Sequence, residues 1–104
     1  MQVALIADTP RPASDVPACL SMHVDDVHAC ATPRSQAVDE HWRVLERTMA
    51  TNAGAIFVDP TDWVCPTDPC PAVISSRLVF RDYHHLSTPF AELLTSRLAY
   101  RLPR

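Results

Sequence analysis

Apolar residues along this chain fall into two kinds of pattern. Val3-Ala4-Leu5-Ile6-Ala7 and Ala55-Ile56-Phe57-Val58 are short continuous runs, the first closed by Asp8-Thr9-Pro10 and the second by Asp59-Pro60. Runs of this kind, without polar alternation, predict strands buried on both faces and therefore parallel pairing. Between them Val38, Trp42, Leu45 and Met49 recur at helical spacing and make one apolar stripe, which predicts a helix over Ser35 to Asn52. Asp39 and Glu40 fall in its first turn, where the helix dipole favours negative charge, and Gly54 follows its end as a C-terminal cap. Strand, loop, helix, strand in that order predicts a right-handed crossover.

The remaining segments are more broken. Arg11 to Arg34 carries Pro12, Pro17 and Pro33 without a clear period, and predicts a long loop with room for a short helix. Thr61 to Pro71 predicts a second loop, with Trp63 packing over it. Ala72-Val73-Ile74, Ser75-Ser76 and Leu78-Val79-Phe80 predict a small hairpin or bent strand pair. The last helix is expected to start with Thr88 as N-cap and Pro89 at its first position, with Phe90, Leu94 and Leu98 on one face and Leu93 beside it.

At 104 residues the chain is one domain at most, and 47% hydrophobic content argues against wholesale disorder. The net charge is -3, and the nine basic residues, all arginine, are scattered rather than clustered, so no nucleic-acid partner is expected. Four cysteines stand in two local pairs. They predict disulfides Cys19–Cys30 and Cys65–Cys70, although four cysteines allow three connectivities. Disulfides call for an oxidising compartment. The apolar run Val3–Ala7 is neither a signal peptide nor a membrane span. The expectation that reconciles the two is the C-terminal part of a longer exported or membrane protein.

The chemistry is concentrated near residue 80. Asp82 precedes His85 by three positions, just ahead of the last helix. In that spacing a carboxylate can turn back and hold the imidazole in one tautomer, leaving the other nitrogen to accept a proton from a nucleophile. The adjacent helix N-terminus disfavours the imidazolium while Asp82 stabilises it. An ordinary Asp–His contact at a loop–helix junction gives the same spacing. A zinc site from Cys65, Cys70, His84 and His85 has ligands of the right type, but adjacent histidines chelate poorly and Cys19 and Cys30 are left over. His23, Asp25, Asp26 and His28 are too loosely spaced for a metal and fit a solvated loop. Asp8 falls at the carboxyl end of a strand, where open α/β sheets place their sites, and equally fits a turn before proline.

Asp59-Pro60, Trp63-Val64-Cys65, Cys70-Pro71, Val73-Ile74 and Leu78-Val79-Phe80-Arg81-Asp82 leading to His85-Leu86-Ser87 together resemble the C-terminal half of an SGNH-type hydrolase domain. The similarity is to the version fused behind the acyltransferase-3 membrane module of bacteria, which O-acylates cell-surface or secreted glycans. Asp8-Thr9-Pro10 and the Cys19–Cys30 loop share it. The resemblance implies an α/β fold, the C-terminal portion of a flavodoxin-like three-layer sheet, incomplete, with a small disulfide-stapled hairpin. It implies one partial domain over residues 1–104, lacking the nucleophile-bearing N-terminal half. Asp82 becomes the orienting acid and His85 the general base, while His84 lies where the family varies. The nucleophilic Ser of a Gly-Asp-Ser turn, and the Gly and Asn of the oxyanion hole, have no counterpart here. Ser75, Ser76 and Ser87 are not placed to replace that nucleophile. The implied partners are the N-terminal SGNH half, the acyltransferase-3 module and a glycan acceptor, on the extracytoplasmic side of the membrane. No metal and no cofactor is expected. The chain alone is expected to be inactive. The competing expectation is a non-catalytic, disulfide-stapled binding or structural module.

Overall fold

The computed structural model describes residues 2–103. Strand β1 (Ala4–Ile6) pairs in parallel with β2 (Ile56–Val58), in the register Ala4 to Ile56, Leu5 to Phe57 and Ile6 to Val58. The connection between them holds helix α1 (Val16–Met22), a 3-10 turn (Val27–Cys30), and helices α2 (Arg34–Ala37) and α3 (Glu40–Asn52). After β2 come α4 (Thr61–Val64), a hairpin of β3 (Val73–Ile74) and β4 (Arg77–Leu78), and helices α5 (Thr88–Leu93) and α6 (Thr95–Arg101). The chain is thus mixed α/β, with a short two-stranded parallel sheet and a separate two-stranded antiparallel hairpin among the described residues.

Local chemistry explains most of these boundaries. The expected helix over Ser35 to Asn52 is two helices, because Val38 is extended and Asp39 caps α3 from outside, accepting from the Trp42 amide at 2.9 Å. Asp39 is therefore the N-cap rather than a first-turn residue. At the other end the Ala55 amide bonds the Ala50 carbonyl at 2.8 Å and the Gly54 amide bonds Thr51 at 3.1 Å, with Gly54 at φ 70°. That is the paired hydrogen bonding of a Schellman stop, which glycine enters without strain. Ser75 and Ser76 have φ of 52° and 60°, both central positions of the two-residue turn joining β3 to β4. The last helix is capped one residue earlier than expected. Ser87, not Thr88, accepts from the Phe90 amide at 3.2 Å, and the helical run breaks at Leu94 into α5 and α6.

The main core gathers Val16, Val64, Val79, Phe80, Phe90 and Leu94 with Cys30 and Ala72. Cys19, Trp63, Leu86 and Leu93 pack against it, so α1, α4, the hairpin and α5 share one interior. Disulfide Cys19–Cys30 ties α1 to the 3-10 turn, and Cys65–Cys70 closes the loop after α4. Cys65 and Cys70 pack with Ala37 and Val38 in a second, smaller cluster.

The parallel sheet is less covered than the apolar runs predict. Val3 is 56% and Ile6 49% exposed. In α3, Trp42, Leu45 and Met49 are 44%, 40% and 49% exposed, whereas Glu46 and Ala50 are the buried positions. The helix thus lies on the strands through a face flanking its apolar stripe. Arg47 caps that contact, with its guanidinium 5.3 Å from the centre of the Phe57 ring.

Candidate functional site

The Asp82–His85 pair sits on a loop whose two ends are pinned. Phe80 and Leu86 form an isolated antiparallel bridge, and the Arg81 amide bonds the His85 carbonyl at 2.8 Å. Phe80 is buried in the main core. Just beyond, the Ser87 amide bonds the Val79 carbonyl at 2.9 Å. The Ser87 hydroxyl donates to the Leu78 carbonyl and accepts from Phe90, so it is committed to holding the hairpin to α5. The five residues 81–85 are therefore held at their base by core packing and backbone hydrogen bonds.

Within that loop Asp82 organises everything. Its Oδ1 accepts from the amides of His84 at 2.7 Å and His85 at 2.8 Å. The same carboxylate lies 3.0 and 2.9 Å from His85 Nδ1. The backbone bond from His84, with the side-chain and backbone bonds from His85 behind it, holds the Asp82 carboxyl down to about 2. An ionised carboxylate only accepts, so Nδ1 carries the proton. In the neutral ring Nε2 is then a bare lone pair, and no hydrogen bond reaches it among the described residues. Such a nitrogen can take a proton from a hydroxyl brought against it. The pair is open to solvent, with side chains 37% and 58% exposed.

The other candidate residues fall elsewhere. Both disulfides form as expected, so neither Cys65 nor Cys70 is a thiolate, and no group of three or more metal-ligating residues assembles among the described residues. His84 is exposed, its ring edge-on to that of His85 at 6.2 Å. His23, Asp25, Asp26 and His28 are all exposed, and Asp26 caps the 3-10 turn through the His28 amide. Ser75 and Ser76 form the hairpin turn.

A second cluster lies at the carboxyl ends of the parallel strands. Asp59, the residue after β2, accepts from the Thr61 hydroxyl at 2.6 Å and amide at 3.0 Å. Its other oxygen takes Arg43 at 2.6 and 2.8 Å, and Arg43 also holds Glu40 at 2.8 Å. Hydrogen bonds from Thr61 and Arg43 outweigh desolvation and lower the Asp59 carboxyl. The amide of Asp8, two residues past β1, points instead to Glu46, 3.3 and 3.2 Å from its two oxygens. Sequence reasoning found Asp8 but not Glu46 or Arg43. Their partners lie 38 and 16 positions away, beyond any local pattern.

The model of the SGNH domain fused to acyltransferase-3 (AT3) domains matches residues 1–99. The chain belongs to the SGNH family. No curated protein and no solved structure matches the chain. Membership makes this a domain associated with hydrolase and acyltransferase chemistry, of a kind that occurs joined to an AT3 module. Among the described residues no helix is long and apolar enough to cross a membrane.

Proposed function

We propose that this SGNH chain is the C-terminal half of an acyl-transfer domain acting on O-acyl groups of cell-surface or secreted glycans. Asp82 is its orienting acid and His85 its general base. The carrying observation is the Asp82 carboxylate at 2.9 Å from His85 Nδ1, on a loop braced by the core. The fold proposed for the complete domain is a flavodoxin-like three-layer sheet in which β1 and β2 are two of the parallel strands. The exposed Val3 and Ile6, beside and within β1, whose other edge is unpaired among the described residues, support that reading.

In the complete domain Nε2 of His85 takes the proton of a serine hydroxyl as its oxygen attacks an acyl carbonyl. The acyl–donor bond breaks and the proton passes to the leaving group. A sugar hydroxyl then attacks the acyl-serine, His85 takes its proton, and the serine oxygen leaves with that proton. The serine and the oxyanion donors come from the N-terminal half. This sequence contains no Gly-Asp-Ser run, and its one glycine, Gly54, is spent on a helix stop. The two disulfides favour an extracytoplasmic site for the whole.

The test is p-nitrophenyl acetate hydrolysis by the oxidised chain, with and without a polypeptide supplying the Gly-Asp-Ser half. The chain alone runs at the buffer rate, the mixture turns over, and His85→Ala removes that turnover. Turnover by the chain alone, or a mixture indifferent to His85→Ala, overturns the proposal.

A further inference from the structure

The cluster at the carboxyl ends of β1 and β2 is not used by the Asp82–His85 chemistry. It surrounds a cleft of about 310 Å³, at the small end of ligand sites. Open α/β sheets bind ligands at this end of their strands. Asp8, Arg11, Trp42, Arg43 and Glu46 are among the residues lining it.

Two of these side chains are arranged unlike ordinary surface groups. Glu46 is 8% exposed, yet the hydrogen-bond donor that its two oxygens share is the Asp8 amide, at 3.3 and 3.2 Å. A carboxylate offers about four acceptor positions, so one long N–H leaves most of that capacity unspent. Arg43 does not fill it, because its guanidinium is committed to Asp59 and Glu40. Burial raises the proton affinity of Glu46, with the Asp8 and Asp59 charges adding to it. Trp42 is the other. It lies on the cleft wall with nearly half of its surface in solvent, although the indole is the largest apolar side chain on α3.

We propose that this cleft is a binding site for one uncharged sugar ring, with the Trp42 indole against a C–H face and Glu46, Asp8 and Arg11 bonded to its hydroxyls. Hydroxyls suit these walls because each both donates, to Glu46 or Asp8, and accepts, from Arg11. An anion is repelled by the carboxylates. Among the described residues no group of three side chains is arranged to hold a metal ion here, and Arg11 and Arg43 in the same wall offset the field an organic cation needs. An apolar ligand leaves Glu46 buried and unpaired at a cost. The inference rests on the glycan reading of the proposed function for the kind of acceptor. It assigns a separate place where a sugar of that acceptor is held.

The test is binding, not turnover. Proton–nitrogen NMR spectra of the oxidised chain are followed while methyl glycosides of glucose, mannose, rhamnose and N-acetylglucosamine are added. At least one sugar shifts the Asp8 amide and the Trp42 indole signals together and saturably, in the millimolar range typical of a single small contact site. Glu46→Gln weakens that binding about tenfold, through loss of a charged acceptor. Trp42→Ala, at a position nearly half exposed, weakens it about fivefold. His85→Ala binds as well as the wild type, so failure of the catalytic proposal and failure of this one are separable. No shift with any of the sugars, shifts away from Asp8 and Trp42, or saturation by tetramethylammonium with the sugars silent overturns the assignment.

Discussion

Reducing both disulfides should cost this domain a large share of its stability. Cys19 and Cys30 are separated by 11 residues, and the loop-closure relation gives about 2.8 kcal/mol for that crosslink. Cys65 and Cys70 are separated by 5, which gives about 2.1 kcal/mol. Together they contribute about 5 kcal/mol, against a total of roughly 5–15 kcal/mol for an ordinary domain. For a chain of 104 residues the expected fall in Tm is about 20 °C. The assay is far-UV circular dichroism melting with and without a phosphine reductant, at neutral pH. The two bonds are separated by paired alanine substitutions. Cys19→Ala with Cys30→Ala loses about the loop term. Cys65→Ala with Cys70→Ala loses at least as much despite the shorter loop, because both sulfurs are fully buried against Ala37 and Val38. A fall in Tm below about 5 °C on full reduction would refute the argument. It would mean that packing alone holds α1 and the hairpin loop in place.

Two further outcomes follow from the loop that carries the pair. Ser87→Ala removes the N-cap of α5 and the hydroxyl bond to Leu78, and should cost about 1–2 kcal/mol in urea denaturation. A loss below about 0.5 kcal/mol would show that the cap is replaced by Thr88. Asp82 should titrate near 2 by carbon-13 NMR of its carboxyl. Its folded value lies below the unfolded one, so its contribution to stability is complete above about pH 4 and fades as pH falls through 2. A midpoint near 4 would contradict the hydrogen bonding drawn around it.

Much of the fold was legible because its determinants are local. The two apolar runs, the Gly54 stop, the serine turn and the paired cysteines each announce themselves within a few residues. The misplaced boundaries also have local causes. Val38-Asp39 reads as helix by periodicity but serves as a cap, and in Ser87-Thr88-Pro89 two adjacent hydroxyls compete for one capping position. The apolar stripe of α3 could be read, but not what covers it. Periodicity identifies a face, whereas the contact actually made, through Glu46 and Ala50, depends on how the helix crosses strands only three residues long. The same limit applied to the site. Asp82 and His85 lie three positions apart on one loop and were found from spacing. The Arg43–Asp59 and Glu46–Asp8 contacts join separate elements and left no sequence pattern.

The most direct measurement of the Asp82–His85 pair is the nitrogen-15 NMR spectrum of the His85 ring, in the wild type and in Asp82→Asn. The neutral ring should carry its proton on Nδ1 and leave Nε2 bare, and the substitution should mix the two tautomers. A wild-type ring protonated on Nε2, or one unchanged by Asp82→Asn, would contradict the assignment of His85 as a base oriented by Asp82.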